Sequence, residues 1–353
     1  MKVTLQQVAD YAKVSRRTVD RVVNNRGNVR PEVEQRVREA LKELNYQPNK
    51  LASALAYSKN EKKVCIIYQK DGFSDFEAGA DAERGMRDAI EELKDFGISV
   101  EVVCKNMREA SEYAEEMEKM VKKGVCGFAL RGPNKPELVE EINKLAQKEI
   151  PVITFNSDIP KSQRVCFVGQ DLFQSGRAAG NIMAKIARPE DKIVIGCGVA
   201  KYDAHQQRVD GFVYELKRLG FDEEQWLMFQ SGTLDNITYE FQYQKTYQAL
   251  ETIFQNEKGI RGIYMSVEPN RACGDFLRHY RPQPRPFVVC HDSTSENIES
   301  LKAEVFDFII DQNLYMQGYQ SLILLKDMIR LGGRKLEETY LSDLIVYNAA
   351  CFE

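Results

Sequence analysis

Two adjacent arginines, Arg16 and Arg17, follow Ser15 at the start of a segment whose valines recur at helical spacing. A guanidinium group can donate two hydrogen bonds to the O6 and N7 atoms of guanine, so arginines at the start of an exposed helix suit the reading of DNA bases. The same pattern also suits an ordinary charged face on a helical bundle. Charge alone favours that second interpretation.

The distribution of charge along the 353 residues is uneven. The chain has a net charge of −4, yet residues 1–60 contain 12 Lys and Arg against 6 Asp and Glu, and the rest has a net charge of −10. A basic N-terminal segment concentrates the attraction for phosphates in one small part of the chain. The length suits two or three domains.

Cysteines and other residues that often bind metals or act in catalysis do not occur at the spacing of a known metal-binding or catalytic motif. The eight cysteines form no C-x-x-C pair and most lie in apolar runs, which predicts reduced, buried thiols in a cytoplasmic protein. We find no nucleophile elbow, Walker loop or complete dinucleotide fingerprint. We therefore expect no metal, no cofactor and no enzyme activity. The N-terminus lacks a secretory signal and no apolar run is long enough to cross a membrane.

The first 47 residues read as three short helices. The first covers 5–12 with Thr4 as its N-cap, the second begins after Ser15 and runs to about Asn24, and the third begins at Pro31. Two short helices joined by a tight turn and supported by a third form a helix-turn-helix, whose second helix enters the major groove of DNA.

The stretch VTLQQVADYAKVSRRTVDRVVNNRG at 3–27 resembles the N-terminal module of the lac repressor family, and the match continues through LKELNYQPNKLASALA at 41–56. This resemblance implies that Arg16 and Arg17 read bases. It also implies DNA contacts, mostly to the backbone, for a further group of residues: Thr4, Ser15, Thr18, Arg21, Asn24 and Asn49.

Asp20 departs from the family, in which serine is common at this position. Because a carboxylate repels phosphate, Asp20 is expected either to bond a neighbouring arginine (Arg16, Arg17 or Arg21) or to accept a hydrogen bond from cytosine N4. The sequence leaves these alternatives open.

The segment PNKLASALA at 48–56 resembles the family's hinge helix. The resemblance implies that Leu55 enters the minor groove as a wedge, with Ala52 packed beside it, which would bend the operator. An ordinary linker helix with a buried leucine is the alternative. The expected domains are therefore the helix-turn-helix at 1–47, the hinge helix and linker at 48–63, and the body at 64–353.

Short apolar runs alternate with amphipathic stretches through the body, which predicts parallel sheets with helices on both faces and a ligand site beyond the strand C-termini. Expected strands are 64–68, 98–103, 127–130, 151–155, 165–168, 193–197, 262–265, 287–290 and 306–310, with helices near 79–95, 110–123, 135–147, 171–187 and 205–219.

Several of these segments, among them IPVITFNSD at 150–158 and FVVCHDS at 287–293, resemble the periplasmic sugar-binding protein fold of ribose-type proteins. The expected fold class is therefore an all-α helix-turn-helix head plus a periplasmic-binding-protein-like α/β body of two lobes with parallel sheets, between which the chain crosses three times. The resemblance implies these ligand-binding residues: Phe73, Phe76, Asn156, Ser157, Arg208, Asp292 and Gln312.

Simpler roles compete at three of these positions. Arg208 could form a surface ion pair, Asp292 could cap a helix together with Ser293, and Asn156 could be a turn residue. As predicted ligands, they would instead offer donors and acceptors to hydroxyl groups.

Three other residues near the expected strand ends have no assigned role. Glu268 and Asn270 lie where the family usually has a further ligand-binding residue, but VEPNRACG shows no clear match. His291 could face either the ligand or the sheet.

Together these patterns predict a cytoplasmic, sequence-specific transcription regulator, in the manner of a repressor. Its expected partners are a pseudo-palindromic double-stranded DNA operator, a sugar-like effector and a second copy of the chain in a homodimer, with no membrane partner. The effector could be a sugar, a sugar phosphate, a sugar acid or a non-sugar metabolite. The alternatives are a cytoplasmic sugar-binding protein, an exported receptor or an enzyme built on the same body.

Overall fold

A computed structural model describes residues 3–23, 29–44, 46, 60–69, 77–107, 109–198, 203–233, 238–330 and 336–352. Several expected site residues lie outside these ranges: Asn24, Asn49, Ala52, Leu55, Phe73 and Phe76. In the described part, no helix is long and apolar enough to span a bilayer.

The head consists of helices α1 (Leu5–Ala12), α2 (Arg16–Val23) and α3 (Pro31–Glu43), as the sequence predicts. Thr4 caps α1, because its Oγ1 accepts a hydrogen bond from the backbone N–H of Gln7. In return, Oε1 of Gln7 accepts a hydrogen bond from the backbone N–H of Thr4. The three helices bury a small apolar core of Val8, Ala9, Ala12, Val19, Val22, Val37 and Ala40. The 3.6-residue spacing of these residues therefore decides which face of each helix points inward.

The body begins with strands and helices of a first lobe. The strands are β1 (Lys62–Gln69), β2 (Ile98–Lys105), β3 (Val125–Leu130), β4 (Val152–Phe155) and β5 (Cys166–Gly169). The helices are α4 (Glu77–Lys94), α5 (Ala110–Lys122) and α6 (Pro136–Gln147).

A second lobe follows. Its helices are α7 (Leu172–Met183), α8 (Asp203–Arg218), α9 (Tyr239–Asn256), α10 (Asn270–Tyr280) and α11 (Ser295–Lys302). Its strands are β6 (Lys192–Cys197), β7 (Trp226–Gln230), β8 (Ile260–Met265), β9 (Phe287–His291) and β10 (Phe308–Asp311). The chain then forms α12 (Leu314–Arg330) and β11 (Thr339–Leu341) on the first lobe and β12 (Ile345–Tyr347) on the second.

The two sheets have the same internal order, which confirms the expected two-lobed α/β architecture. The first sheet runs β11-β5-β4-β3-β1-β2 and the second runs β12-β10-β9-β8-β6-β7. The strand pairs are parallel except for the antiparallel pair of β12 with β10. Helices α4 and α12 cover one face of the first sheet and α5 and α6 the other, so this sheet is buried on both faces.

The expected strands are all present, with ends that differ by at most two residues from the predicted ones. Three further strands, β7, β11 and β12, were not among the expected strands. Each lies at the edge of its sheet, and β11 and β12 contain only three residues each. The predicted strand at 306–310 begins only at Phe308, since Phe306 instead packs into the core beside α11.

The chain crosses between the lobes at three adjacent segments, as expected. Gln170 follows β5, Gln312 follows β10, and Ser342 follows β11. The Gln170 side chain donates to the carbonyl of Asp311 at 3.0 Å, and Ser342 Oγ donates to the carbonyl of Gln312 at 3.0 Å. These hydrogen bonds tie the three crossings into one hinge.

Helices α7 and α8 approach each other closely because glycine lies at their contact. A Cβ atom on Gly176 would lie 2.0 Å from the carbonyl oxygen of Arg208. A Cβ atom on Gly211 would lie 2.0 Å from the carbonyl oxygen of Phe173. No larger residue fits without separating the helices, so this packing fixes the position of Arg208 at the inner end of α8.

Candidate nucleic-acid interface and effector cleft

The start of α2 is the candidate DNA-reading surface. Ser15 Oγ accepts a hydrogen bond from the backbone N–H of Thr18 at 3.1 Å and contacts Thr18 Oγ1 at 2.8 Å, which caps the helix. Because Val19 and Val22 point into the core, Arg16 and Arg17 are left exposed at the first turn. The structure thus places both arginines where a base edge could reach them.

Asp20 lies on the partly buried side of the same helix. The pKa of the Tyr46 phenol is raised, first by burial and then by the negative charge of Asp20, while the positive charge of Arg16 opposes the shift. Asp20 and Arg16 are therefore both close enough to Tyr46 to influence its charge, and this electrostatic proximity links the start of α2 to the residues after α3.

The candidate effector cleft is built at the carboxyl ends of the parallel strands. Arg131 follows β3, Asn156 follows β4, Ser266 follows β8, Asp292 follows β9 and Gln312 follows β10. In open α/β sheets this edge is where ligands bind. Chain topology therefore brings residues that are far apart in sequence to one place.

Asn156 is the centre of the hydrogen bonds on the first lobe. Its Oδ1 accepts from Nε of Arg131 at 2.9 Å. Its Nδ2 donates to Oε1 of Gln312 at 3.3 Å and to Oε1 of Gln317 at 3.2 Å. Asn156 has a φ of 61°, so it is also a turn residue, and the two roles combine in one side chain.

Asp292 is the matching centre on the second lobe. Its Oδ1 accepts from Nε2 of Gln312 at 2.7 Å and lies 3.9 Å from Nη2 of Arg208. Gln312 therefore bridges the two lobes, accepting from Asn156 and donating to Asp292. A chain of polar side chains runs across the cleft from Arg131 to Arg208.

Arg208 is only 4% exposed, so it is not a surface ion pair. Its Nη1 donates to the carbonyl of Ser266 at 3.0 Å, while its Nε has no hydrogen-bond partner among the described residues. A buried guanidinium with an unused donor is costly unless another acceptor completes it. An acceptor oxygen from a bound molecule would complete it.

The alternative role of Asp292 as a helix cap is wrong, because α11 is capped by Thr294, whose Oγ1 accepts from the N–H of Asn297. Asp292 has a φ of 70° and is 9% exposed. Ser157 is half-buried and, among the described residues, its side chain adds no hydrogen bond to the cleft.

Sequence reasoning missed three members of this network, namely Arg131, Gln170 and Gln317. Arg131 is 8% exposed and follows the predicted strand at 127–130, so its position after a strand was the available signal. Gln170 follows β5 in the same way. Gln317 lies inside α12, and no sequence pattern marks it as a partner of Asn156.

His291 faces the interior of the second lobe. Its Nε2 lies 2.8 Å from the hydroxyl of Tyr264, and both side chains are fully buried. Burial raises the pKa of Tyr264, which keeps the phenol neutral. Of the two orientations left open for His291, the structure shows the one toward the sheet.

Glu268 and Asn270 lie after β8, next to this edge of the cleft. The Glu268 carboxylate accepts hydrogen bonds from the backbone N–H of Asn270 at 2.7 Å, from Nδ2 of Asn270 at 2.9 Å and from Nδ2 of Asn297 at 2.9 Å. Burial raises the pKa of Glu268 to about 7, although these donors oppose the shift.

A polar cavity of about 210 Å³ adjoins Asp292. Its lining comes from both lobes, with Asp81 and Arg84 on one side and Ser293, Thr294 and Asp311 on the other. The pKa of Asp311 is raised by burial and by the nearby charge of Asp292. The cleft thus holds carboxylates, amides and guanidinium groups, which is the chemistry needed to bind a molecule with many hydroxyl groups.

Comparisons with known families divide the chain in the same way as the structure does. Residues 64–335 match the family described as "Periplasmic binding protein domain", and residues 4–49 match "Bacterial regulatory proteins, lacI family". The first match covers most of the body, and the second coincides with the three helices of the head.

Among curated proteins, the chain is 32% identical over 180 residues to catabolite control protein A of Staphylococcus epidermidis, which is 51% of each chain. It therefore spans about half the length of the curated relatives it matches.

Solved structures resemble the body at low sequence identity. The glucose-galactose binding protein GanP of Geobacillus stearothermophilus has a TM-score of 0.68 at 18% identity, covering 83% of this chain and 99% of its own. An ABC transporter solute binding protein of Burkholderia graminis in complex with D-arabinose has a TM-score of 0.70 at 17% identity, covering 82% and 96%. These likenesses concern the fold.

Proposed function

The chain joins a lacI-family DNA-binding head to a body that belongs to the periplasmic binding protein domain family, and we propose that it is a transcription regulator whose affinity for its operator is set by a sugar-like effector. The observation that carries the proposal is the presence, in one chain, of an exposed arginine pair on a capped helix and a polar network across a two-lobed cleft.

The head supports sequence-specific binding to double-stranded DNA. Arg16 and Arg17 are exposed at the first turn of α2, which is the end of a recognition helix that meets base edges in the major groove. Asn49, Ala52 and Leu55 extend the proposed contact into the hinge segment on the strength of its resemblance to the lac repressor family. The curated relative's name, catabolite control protein A, denotes a control function.

The cleft supports an effector with several hydroxyl groups. Asp292 and the side-chain oxygens of the amides accept from hydroxyls, and the Arg208 guanidinium has an unused donor at Nε. Phe73 and Phe76 are proposed as the aromatic faces that cover the ring of a sugar. Two proteins with similar bodies are named for glucose and galactose binding or are seen with D-arabinose.

We propose that the effector cleft and the DNA-binding head are coupled in a homodimer that binds a pseudo-palindromic operator. An effector that binds the closed body with a different affinity from the open body shifts the balance between the two conformations. This change alters the separation of the two hinge segments in the dimer and hence the affinity for DNA. The proposal places the protein in the cytoplasm, where its operator lies, and assigns it no catalytic step and no membrane partner.

The first test is a thermal-shift screen of the purified full chain against D-glucose, D-galactose, D-arabinose, D-ribose and their phosphates. A ligand that binds the native state raises the melting temperature by mass action. Selection of duplexes from a random pool then defines an operator, and fluorescence anisotropy measures its affinity with and without the sugar that gave a shift.

A specific sugar that shifts both the melting temperature and the operator affinity supports the whole proposal. Operator selection that returns no common sequence would contradict the regulator assignment. A selected operator whose affinity no panel compound changes would contradict the sugar-like effector but leave DNA binding in place.

A further inference from the structure

The Glu268 carboxylate holds two nearly inaccessible amides behind the cleft. Asn270 is fully buried and Asn297 is 1% exposed. Each of the two donates through Nδ2 to Oε1 of Glu268 at 2.9 Å. One carboxylate oxygen therefore serves two side chains that come from the starts of different helices, α10 and α11.

The same two amides also bind the main chain at the end of β9. Asn270 Nδ2 donates to the carbonyl of His291 at 2.9 Å. Asn297 Nδ2 donates to the carbonyl of Asp292 at 2.8 Å. Both nitrogens are thus held between an anionic acceptor and the two peptide carbonyls that flank the Asp292 main chain.

Asp292 needs such support, because its φ of 70° lies in the left-handed region. For a residue other than glycine this backbone conformation is uncommon and unfavourable, and it persists only where neighbours impose it. The Asp292 N–H donates to the carbonyl of Ile310 at 3.0 Å, which fixes one side of the residue. The Glu268 group fixes the other side.

We propose that Glu268 is a positioning residue of the effector cleft: as a carboxylate it holds Asn270 and Asn297 against the end of β9 and so fixes the orientation of Asp292, and its protonation loosens that arrangement. This inference rests on the proposed effector-sensing function only in giving Asp292 its role. It assigns a task to Glu268 and Asn270, whose segment VEPNRACG shows no clear match to the family.

The charges around Glu268 favour a change of protonation near neutral pH. Asp292 from the end of β9 raises the pKa of Glu268 further, after burial, and the result is a value of about 7. Tyr239 at the start of α9 and the Cys290 thiol of β9 also face this carboxylate, and Glu268 raises the pKa of both. Arg271 and Glu296 form an ion pair at 3.1 Å on the outer side of Tyr239.

The sign of the effect follows from the hydrogen bonds. A carboxylate accepts hydrogen bonds from all three N–H groups. A carboxylic acid carries an O–H donor of its own, so its protonated oxygen is a poorer acceptor for these N–H groups. Above the pKa of about 7 the two amides are held firmly. Below it they are released and Asp292 becomes more mobile.

The test uses the full chain without any sugar and measures the hydrogen-exchange protection of the Asp292 amide above and below the pKa of about 7. We expect protection in the wild type to fall about tenfold on acidification, the scale of one lost hydrogen bond. Glu268→Gln should show low protection at both pH values. Glu296→Gln, which removes an exposed neighbouring carboxylate, should follow the wild type.

Protection that is independent of pH in the wild type, or equal in Glu268→Gln and the wild type, would overturn the proposal. If Glu268→Gln does not fold, wild-type chain labelled with ¹³C at the glutamate carboxyls serves instead. We then expect one glutamate resonance and the Asp292 amide shift to titrate with the same midpoint. Different midpoints, or no titrating glutamate near neutral pH, reject the inference.

Binding measurements with D-galactose and D-arabinose at several pH values distinguish a failure of this inference from a failure of the proposed function. If either sugar binds, its affinity should fall on acidification in the wild type but not in Glu268→Gln. An affinity with the same pH profile in both proteins would contradict the positioning role. If no sugar or sugar phosphate of the screening panel binds while the exchange result holds, the effector assignment fails and the positioning of Asp292 stands.

Discussion

Asn156 and Asp292 occupy equivalent positions in the two lobes. Each follows the fourth strand of its lobe, each has a positive φ (61° and 70°), and each backbone N–H donates to a carbonyl of the fifth strand, Val168 and Ile310 respectively. The Gln312 side chain joins them, since its Oε1 accepts from Asn156 and its Nε2 donates to Asp292. One lobe thus contributes a neutral amide and the other a carboxylate at matching places.

Replacing Asp292 with Asn should abolish the effector response and leave operator affinity unchanged. Asp292 Oδ1 lies 3.9 Å from Nη2 of Arg208, so the buried guanidinium would lose the carboxylate paired with it. Loss of one member of a buried charge pair costs on the order of 2–5 kcal/mol in binding. Calorimetry with the sugar found in the screen measures the loss. Asp210→Asn, an exposed change on α8, is the control, and an unchanged affinity in Asp292→Asn would remove this residue from the site.

Replacing Gln312 with Ala should favour separation of the lobes. The change leaves Asn156 without one acceptor and Asp292 without its 2.7 Å donor, each a buried polar group whose loss of a partner costs about 1–3 kcal/mol. We expect a larger radius of gyration in small-angle X-ray scattering of the sugar-free protein. Gln147→Ala, at the exposed end of α6, should scatter like the wild type. Identical curves for all three proteins would show that Gln312 does not hold the lobes together.

Replacing Arg16 or Arg17 with Ala should relax operator specificity, at a cost of about 1–3 kcal/mol for each arginine. Both are exposed at the start of α2, which is the proposed base-reading end of the helix. Fluorescence anisotropy with operator and scrambled duplexes measures the specificity ratio. The control is Arg38→Ala, which removes an exposed arginine paired with Glu34 on α3. An equal loss on both duplexes would indicate phosphate contacts only.

Replacing Gly176 with Ala should lower the free energy of unfolding by about 1–3 kcal/mol, the usual cost of overpacking. The new Cβ would lie 2.0 Å from the carbonyl oxygen of Arg208, which is backbone and cannot turn away. Denaturant unfolding measures the change. Gly274→Ala in α10 is a matched control, since its nearest atom is the mobile Nη1 of Arg278 at 3.1 Å. Equal stabilities of the two variants would refute the close α7–α8 contact.

Resemblance to the periplasmic sugar-binding fold identified Asn156, Asp292, Gln312 and Arg208 as candidate ligand residues. The predicted strands also account for the first three, because each lies within two residues of the end of a predicted strand, and parallel strands bring such residues to one edge. No such pattern marks Arg208, which lies on a helix that looks amphipathic and charged, and its burial was not predicted.

The hydrogen-bond network itself could not be predicted. Asn156 and Gln317 are 161 residues apart, and their contact requires α12 to return to the first lobe. The strands β11 and β12 have only three residues each, which is too few for alternation to set their bounds. The caps, by contrast, are local, so Thr4 and Ser15 could be recognised from the chain itself.

The return of α12 and β11 has a consequence for biosynthesis. Leu314, Leu322 and Leu325 complete the apolar layer over the first sheet, and β11 adds its edge strand beside β5. A ribosome therefore releases the first half of this lobe long before the residues that cover it have been made. Until α12 has left the exit tunnel, the part of that apolar face that α4 does not cover stays exposed and can bind chaperones. A premature stop anywhere in the second lobe would thus leave both lobes unfinished.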